Sequence, residues 1–173
     1  TPPKKSHAHT YRQQITVSAV EGPAMAGAFG IVCSSDLVLS MSSARFAMTE
    51  TRLGLSPAQI APYVIDRLGF SNARKLILLG FSIDGNQAYD MGLSDYLSTT
   101  KEEFNETLNS IKRQVNQCAP HALTLTKNII RPRNEIDIDL SAKIFADCIE
   151  SEEGKEGIKS FFEKKKPYWA VRS

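Results

Sequence analysis

Several things are scarce in this 173-residue chain, and each scarcity removes a class of protein. No apolar run approaches the roughly 20 residues that span a bilayer. The opening Thr1-Pro-Pro-Lys-Lys-Ser-His-Ala-His-Thr10 lacks the apolar core of a secretory signal. Cysteine is limited to Cys33, Cys118 and Cys148, widely spaced and odd in number, which fits a reducing compartment better than a disulfide scaffold. A cytoplasmic location is therefore expected. Neither sign of charge dominates, with 21 Lys plus Arg against 19 Asp plus Glu, so nothing calls for a polyanionic partner such as nucleic acid. Phosphate-loop, zinc-protease and C-x-x-C signatures are all missing. His7 and His9 stand two apart in a polar lead-in without further ligands nearby, short of the four that structural zinc requires, so no metal is expected.

With 42% hydrophobic and 23% charged residues, what remains is a globular chain of about one domain. Residues 1–14 read as a leader without periodicity. The β-branched run Ile15–Val20 reads as a buried strand, and Glu21-Gly22-Pro23 as a turn. Ala24 to Cys33 is a stretch of small apolar residues, read as a short buried helix. Asp36–Leu39 and Ala44–Phe46 follow as strands. Strand, buried helix and strand in that order indicate an α/β layer. From Ser56 the pattern turns helical. Gln59–Leu68 ends at Gly69, Asn72–Leu79 ends at Gly80, and Asp84 caps a short helix closing at Gly92. Leu93–Leu97 reads as a brief strand and Glu102–Cys118 as a long amphipathic helix. Further helices are predicted near 122–130, 140–149 and 155–164. The organisation is thus a leader (1–14), an α/β part (15–100) and a helical part (101–173).

Two segments could carry chemistry. In Gly22-Pro-Ala-Met-Ala-Gly-Ala-Phe-Gly30 a strand feeds a turn and then a helix, exposing unpaired N–H groups that can hold a phosphate or a developing oxyanion. The same small residues permit tight packing in a buried helix, and because three glycines match no phosphate fingerprint, spacing alone favours that reading. Glu50 lies in Phe46-Ala-Met-Thr-Glu-Thr-Arg-Leu-Gly54 among apolar and β-branched neighbours. A poorly solvated carboxylate there suits proton transfer. A capping glutamate, or one paired with Arg45 or Arg52, fits the pattern as well. His121, after Ala119-Pro120, reads as a solvated or capping residue rather than a base.

These segments, with Ser35–Leu39, Leu53-Gly-Leu-Ser-Pro57, Arg67-Leu-Gly69, Ala88, Gly92-Leu93 and Glu156-Gly157…Phe161-Phe-Glu-Lys-Lys-Lys-Pro-Tyr-Trp169, resemble the enoyl-CoA hydratase/isomerase (crotonase) superfamily over residues 15–170. Within it, Thr49-Glu50 and Leu53–Pro62 look most like the branch hydrating methylglutaconyl-CoA or isohexenylglutaconyl-CoA. The resemblance implies a crotonase-like ββα spiral ending in a helical trimerisation region. It also implies an acyl-CoA substrate whose thioester carbonyl is polarised by two backbone N–H groups, one of them at Gly27. Gly22, Pro23, Ala24 and Met25 would line the substrate. Of the two glutamates of typical hydratases, the second falls on Glu50 and the first on Gly30, which carries no carboxylate. Hydration of a 2,3-unsaturated acyl-CoA by a single glutamate is the activity implied, with Δ3-Δ2 isomerisation and a non-catalytic acyl-CoA-binding subunit as alternatives. No cofactor is implied, coenzyme A being part of the substrate. Phe145 and Lys164 fall where family members reach a neighbour's coenzyme A in trimers or hexamers, and Lys164 also reads as one of a solvated lysine run. The resemblance leaves out the family's first spiral turns. This implies a truncated chain, a degenerate homologue or a subunit completed by an amino-terminal partner.

Overall fold

A computed structural model describes residues 14–130 and 138–171. The leader histidines lie outside the described residues. The chain divides into two compact units, one holding residues 16–109 and the other residues 14–15 and 110 onward.

The first unit is built on two small sheets. β1 (Val17–Val20), β3 (Leu37–Met41) and β6 (Tyr96–Ser98) lie in the order β1-β3-β6, all parallel. β2 (Pro23–Met25), β4 (Arg45–Ala47) and β5 (Ser82–Asp84) form the second, with β2 and β4 parallel and β5 antiparallel to β4. Parallel neighbours need a crossover, and here it is α1 (Gly27–Ser34). α1 and α2 (Ala61–Leu79) pack around a core of Phe29, Val32, Val38, Phe46, Met48, Val64, Leu68, Leu76 and Ile83. The Phe29 and Phe46 rings meet at 6.2 Å, tilted by 55°.

Two expectations shift. Pro23–Met25, read as turn and helix start, is a strand, because pairing with β4 seats Ala24 opposite Phe46 and buries it. The helix then begins at Gly27. The strand expected at Leu93–Leu97 begins instead at Tyr96, because Leu93 belongs to the turn that closes α3 (Gly85–Asp90). Its N–H donates to Ala88 C=O at 2.8 Å, after Gly92 has turned the chain at φ 77°. The glycine stops are where the pattern puts them. Gly69 (φ 70°, ψ 161°) breaks α2 into two segments, and Gly80 (φ 59°) ends it. Asp84 caps α3 in a reciprocal box with Gln87. Arg67 ties α2 to the strands. It donates to the carbonyls of Leu93 at 3.1 Å and of Ser35 and Asp36 at 3.4 Å, and pairs with Asp95 at 2.6 Å. Asp95 in turn accepts the Val38 N–H at 2.7 Å.

α4 (Lys101–Asn116) leads into the second unit, which contains α5 (Pro120–Ile129), α6 (Ile138–Glu150), α7 (Glu152–Phe162) and a 3₁₀ turn at Tyr168–Val171. Ser151 makes the bend between α6 and α7. Its hydroxyl accepts the Gly154 N–H at 3.0 Å and donates to Cys148 C=O at 2.7 Å. A Cβ at Gly154 would fall 1.9 Å from that carbonyl oxygen, so only glycine fits the bend. The buried Lys127 ammonium donates to Gln14 C=O at 2.9 Å, tying the segment before β1 to α5. Among the described residues no helix is long and apolar enough to cross a membrane.

Candidate active site

The site is organised by one stretch of parallel register. Ala24 faces Phe46 and Met25 faces Ala47, so β2 and β4 end at the same level and point the same way. The Ala26 N–H extends the ladder by one bond, to Ala47 C=O at 2.9 Å. Beyond that bond one chain enters α1 at Gly27 and the other enters a 3₁₀ turn (Glu50–Leu53) at Glu50. Two residues 23 positions apart thus emerge at the carboxyl ends of adjacent parallel strands, where α/β proteins place their chemistry.

Ala26 makes the connection at φ 51°, ψ −119°, a conformation that L side chains rarely adopt. Such strain is held in place by its surroundings and is typical of functional turns. It swings the chain abruptly from strand to helix, and α1 begins with no side-chain cap. The N–H of Gly27, at an exposed position, is therefore one of the orphan donors of a helix start, suited to negative charge.

Glu50 brings the complementary chemistry. Its Oε2 is buried and has no hydrogen-bond partner. The two arginines that could have paired with it are turned elsewhere. Arg45 donates to the carbonyls of Ser43 and Ala44 at 3.4 and 3.1 Å, and Arg52 to Leu79 C=O at 3.1 Å. Leaving a buried polar oxygen unmet costs about 1–3 kcal/mol, so an orphan of this kind calls for an explanation. The main chain around it is well anchored, with Leu55 N–H on Glu50 C=O at 2.9 Å and Gly54 closing the turn at φ 73°.

The remaining predicted residues divide by location. Gly22 is half-buried and Pro23 and Met25 are exposed, while Ala24 turns into the core. Gly30 is buried, and a Cβ there would sit 2.5 Å from Ile60 Cγ2. Sequence reasoning missed that contact, as it missed the strain at Ala26. The available signal was a glycine inside a helix, which costs about 1 kcal/mol against alanine and hints at a close approach. Phe145, on α6, and Lys164, just past α7 at φ 54°, both belong to the second unit and are exposed. The second unit also has a cleft of about 630 Å³ lined by Ile15, Val115, Leu123, Tyr168 and Trp169, with no acidic or histidine side chain in its lining. His121 does not line this cleft. Its backbone N–H is taken up by the Glu153 carboxylate at 2.8 Å. Burial pushes the Cys33 thiol up to about 12 against the opposing pull of Arg67, which disfavours the thiolate at neutral pH. Among the described residues no cluster of three or more His, Cys, Asp or Glu could hold a metal.

The uncapped start of α1 and the unpartnered Glu50 oxygen thus follow the ends of adjacent parallel strands. The profile of the enoyl-CoA hydratase/isomerase family matches residues 6–172. The chain belongs to that family. An enoyl-CoA hydratase/isomerase from Marinobacter aquaeolei superposes with a TM-score of 0.90 at 37% identity, covering 95% of this chain and 64% of that one. AtuE of Pseudomonas aeruginosa superposes at 0.91 with 34% identity, covering 95% and 66%. The short-chain-enoyl-CoA hydratase of Clostridium acetobutylicum is 30% identical over 155 residues, 87% of this chain and 59% of the relative. The fold is therefore the crotonase fold, and the chain spans about three fifths of the length of the curated relatives it matches.

Proposed function

We propose that the site adds water to a 2,3-unsaturated acyl-CoA thioester. The observation that carries this reading is the buried, unpartnered Glu50 Oε2, in the turn that follows β4, next to the strand that leads into the uncapped start of α1. The Gly27 N–H would meet the thioester oxygen as enolate charge develops, a fixed dipole that needs no reorganisation during reaction. Glu50 would orient the water, take its proton and deliver one to the α-carbon. Coenzyme A enters as part of the substrate, and no further cofactor is required. Gly22, Pro23, Ala24 and Met25 would line the approach to the oxyanion N–H. The segments Thr49-Glu50 and Leu53–Pro62 favour glutaconyl-type acyl groups. The apolar side chains left exposed on α6 and α7, Phe145 among them, support a homotrimer or hexamer in which Phe145 and Lys164 reach a neighbouring copy's coenzyme A.

A second reading draws on the Gly30–Ile60 contact. With no second carboxylate on α1, Glu50 alone could move a proton between carbons, which is Δ3-Δ2 isomerisation. The test is turnover of a panel of 2-enoyl- and 3-enoyl-CoA thioesters by the purified chain and by Glu50→Gln. Loss of about 10²–10⁴ in rate in the variant supports proton transfer by Glu50. The substrate consumed separates hydration from isomerisation. No turnover by a well-folded wild-type sample would leave the acyl-CoA-binding subunit as the reading.

A further inference from the structure

Gly30 lies one helical turn beyond Gly27, on the same side of α1. A Cβ at this position would fall 2.5 Å from Ile60 Cγ2 and 2.8 Å from Ile60 Cβ. The second distance is the decisive one. A clash with a methyl group can be relieved by rotating χ1, but Cβ is set by the main chain, and no rotamer moves it. The Ile60 main chain is held from both sides. Its N–H donates to Pro57 C=O at 3.0 Å, and its C=O accepts from Tyr63 and Val64 N–H at 3.0 and 3.2 Å. Pro57 is buried, and Pro62 stands in the first turn of α2. On the other side, the Gly30 N–H is committed to Ala26 C=O at 3.2 Å. Neither backbone is free to withdraw.

We propose that positions 30 and 60 form a mutually exclusive pair, and that Ile60 is the positioning residue that restricts this site to one carboxylate. Any side chain at 60 requires glycine at 30, so α1 cannot present an acid or base beside Gly27 while Ile60 is in place. The space is filled by hydrocarbon instead, and the reaction is confined to acyl-CoA substrates for which one carboxylate handles every proton. This second half rests on the reading of Glu50 as proton carrier. The steric half does not.

The experiment is a double-mutant cycle read by thermal melting, joined to a pH–rate profile. Gly30→Ala in the wild-type background is expected to lower Tm by about 3–10 °C, the usual scale of overpacking. In an Ile60→Gly background the same substitution is expected to cost nothing or to raise Tm, since alanine is the better helix former. An equal loss in both backgrounds overturns the pair. Should Ile60→Gly not fold, Gly30→Ala alone decides, and a melt at or above wild type overturns it. Gly30→Glu combined with Ile60→Gly is expected to fold and to add a second ionisation to the pH–rate profile measured on a 2-enoyl-CoA. Gly30→Glu with Ile60 retained is expected to lose its cooperative melt. If that single variant melts like wild type and shows the second ionisation, Ile60 is not the restriction. If the wild type turns over no thioester, the Glu50 reading and the one-carboxylate role fall together, while the melting cycle still decides the steric pair.

Discussion

The two units of this chain differ in how much of their large apolar side chains they enclose. In the first, Phe29, Phe46 and Phe104 are at or below 1% exposure, and aliphatics of β3, α2 and β5 share a core with Phe29 and Phe46, while Phe70 is 66% exposed. In the second, Phe145, Phe161 and Phe162 are 68%, 79% and 77% exposed, with Ile130 and Ile138 beside them in composition and exposure. Among its described residues only Ile111, Lys127, Ser160 and Ala170 are buried. Two layers of sheet and helix can enclose a core by themselves, whereas single amphipathic helices need something laid against each apolar face. The first unit encloses a core within the chain, although Leu53, Leu55, Phe70, Leu78 and Leu79 stay exposed on it. The second has a pattern that the chain alone does not satisfy, which is why an oligomer enters the proposed function.

Equal truncations in the two units should therefore have very unequal effects. Phe46→Ala removes a fully buried ring that packs on Phe29, and should cost about 3–5 kcal/mol of unfolding free energy by denaturant titration. Arg67→Met should cost about 2 kcal/mol in the same measurement, because four main-chain and side-chain acceptors lose their donor. Ser151→Ala, at the bend joining α6 to α7, should cost about 1 kcal/mol as a lost helix cap. Phe161→Ala should change the stability of the monomeric chain by less than about 0.5 kcal/mol, and a larger loss that grows with protein concentration would point to burial in an assembly.

The smallest expected effect is pH-dependent. Thr99 donates both its N–H and its hydroxyl to the Glu103 carboxylate, at 2.7 and 3.0 Å, and these bonds hold its pKa below the ordinary value. A lowered folded-state pKa favours the charged form, so the stabilisation is present above the unfolded carboxylate range and lost as pH falls through the folded value. Glu103→Gln should thus melt slightly below wild type at neutral pH, and the two curves should converge in acid.

Local punctuation was readable from the chain. Asp84 caps its helix, Gly69 and Gly80 interrupt and end α2, and the helices after Pro120 lie within a few residues of their predicted ranges, because caps, left-handed glycines and prolines act on their own neighbours. The family was readable too, since the segments that carry it are short, ordered and specific. Pro23–Met25 was misread because three residues of small side chain have no periodicity to show, and only pairing with β4 makes them a strand.

The candidate site divides along the same line. The sequence by itself determined which residues could hold an anion and move a proton, since that depends on residue type and on an uncapped helix start. It also determined that α1 carries no carboxylate at Gly30. Only the tertiary structure decided that β2 and β4 end in register, that both arginines near Glu50 turn to main-chain carbonyls, and that Ile60 closes over Gly30. The strand register, the Arg52 bond and the Ile60 contact join residues from different elements. Main-chain hydrogen bonds and close packing set such contacts once the chain is folded, and neither leaves a periodic trace in the order of the residues.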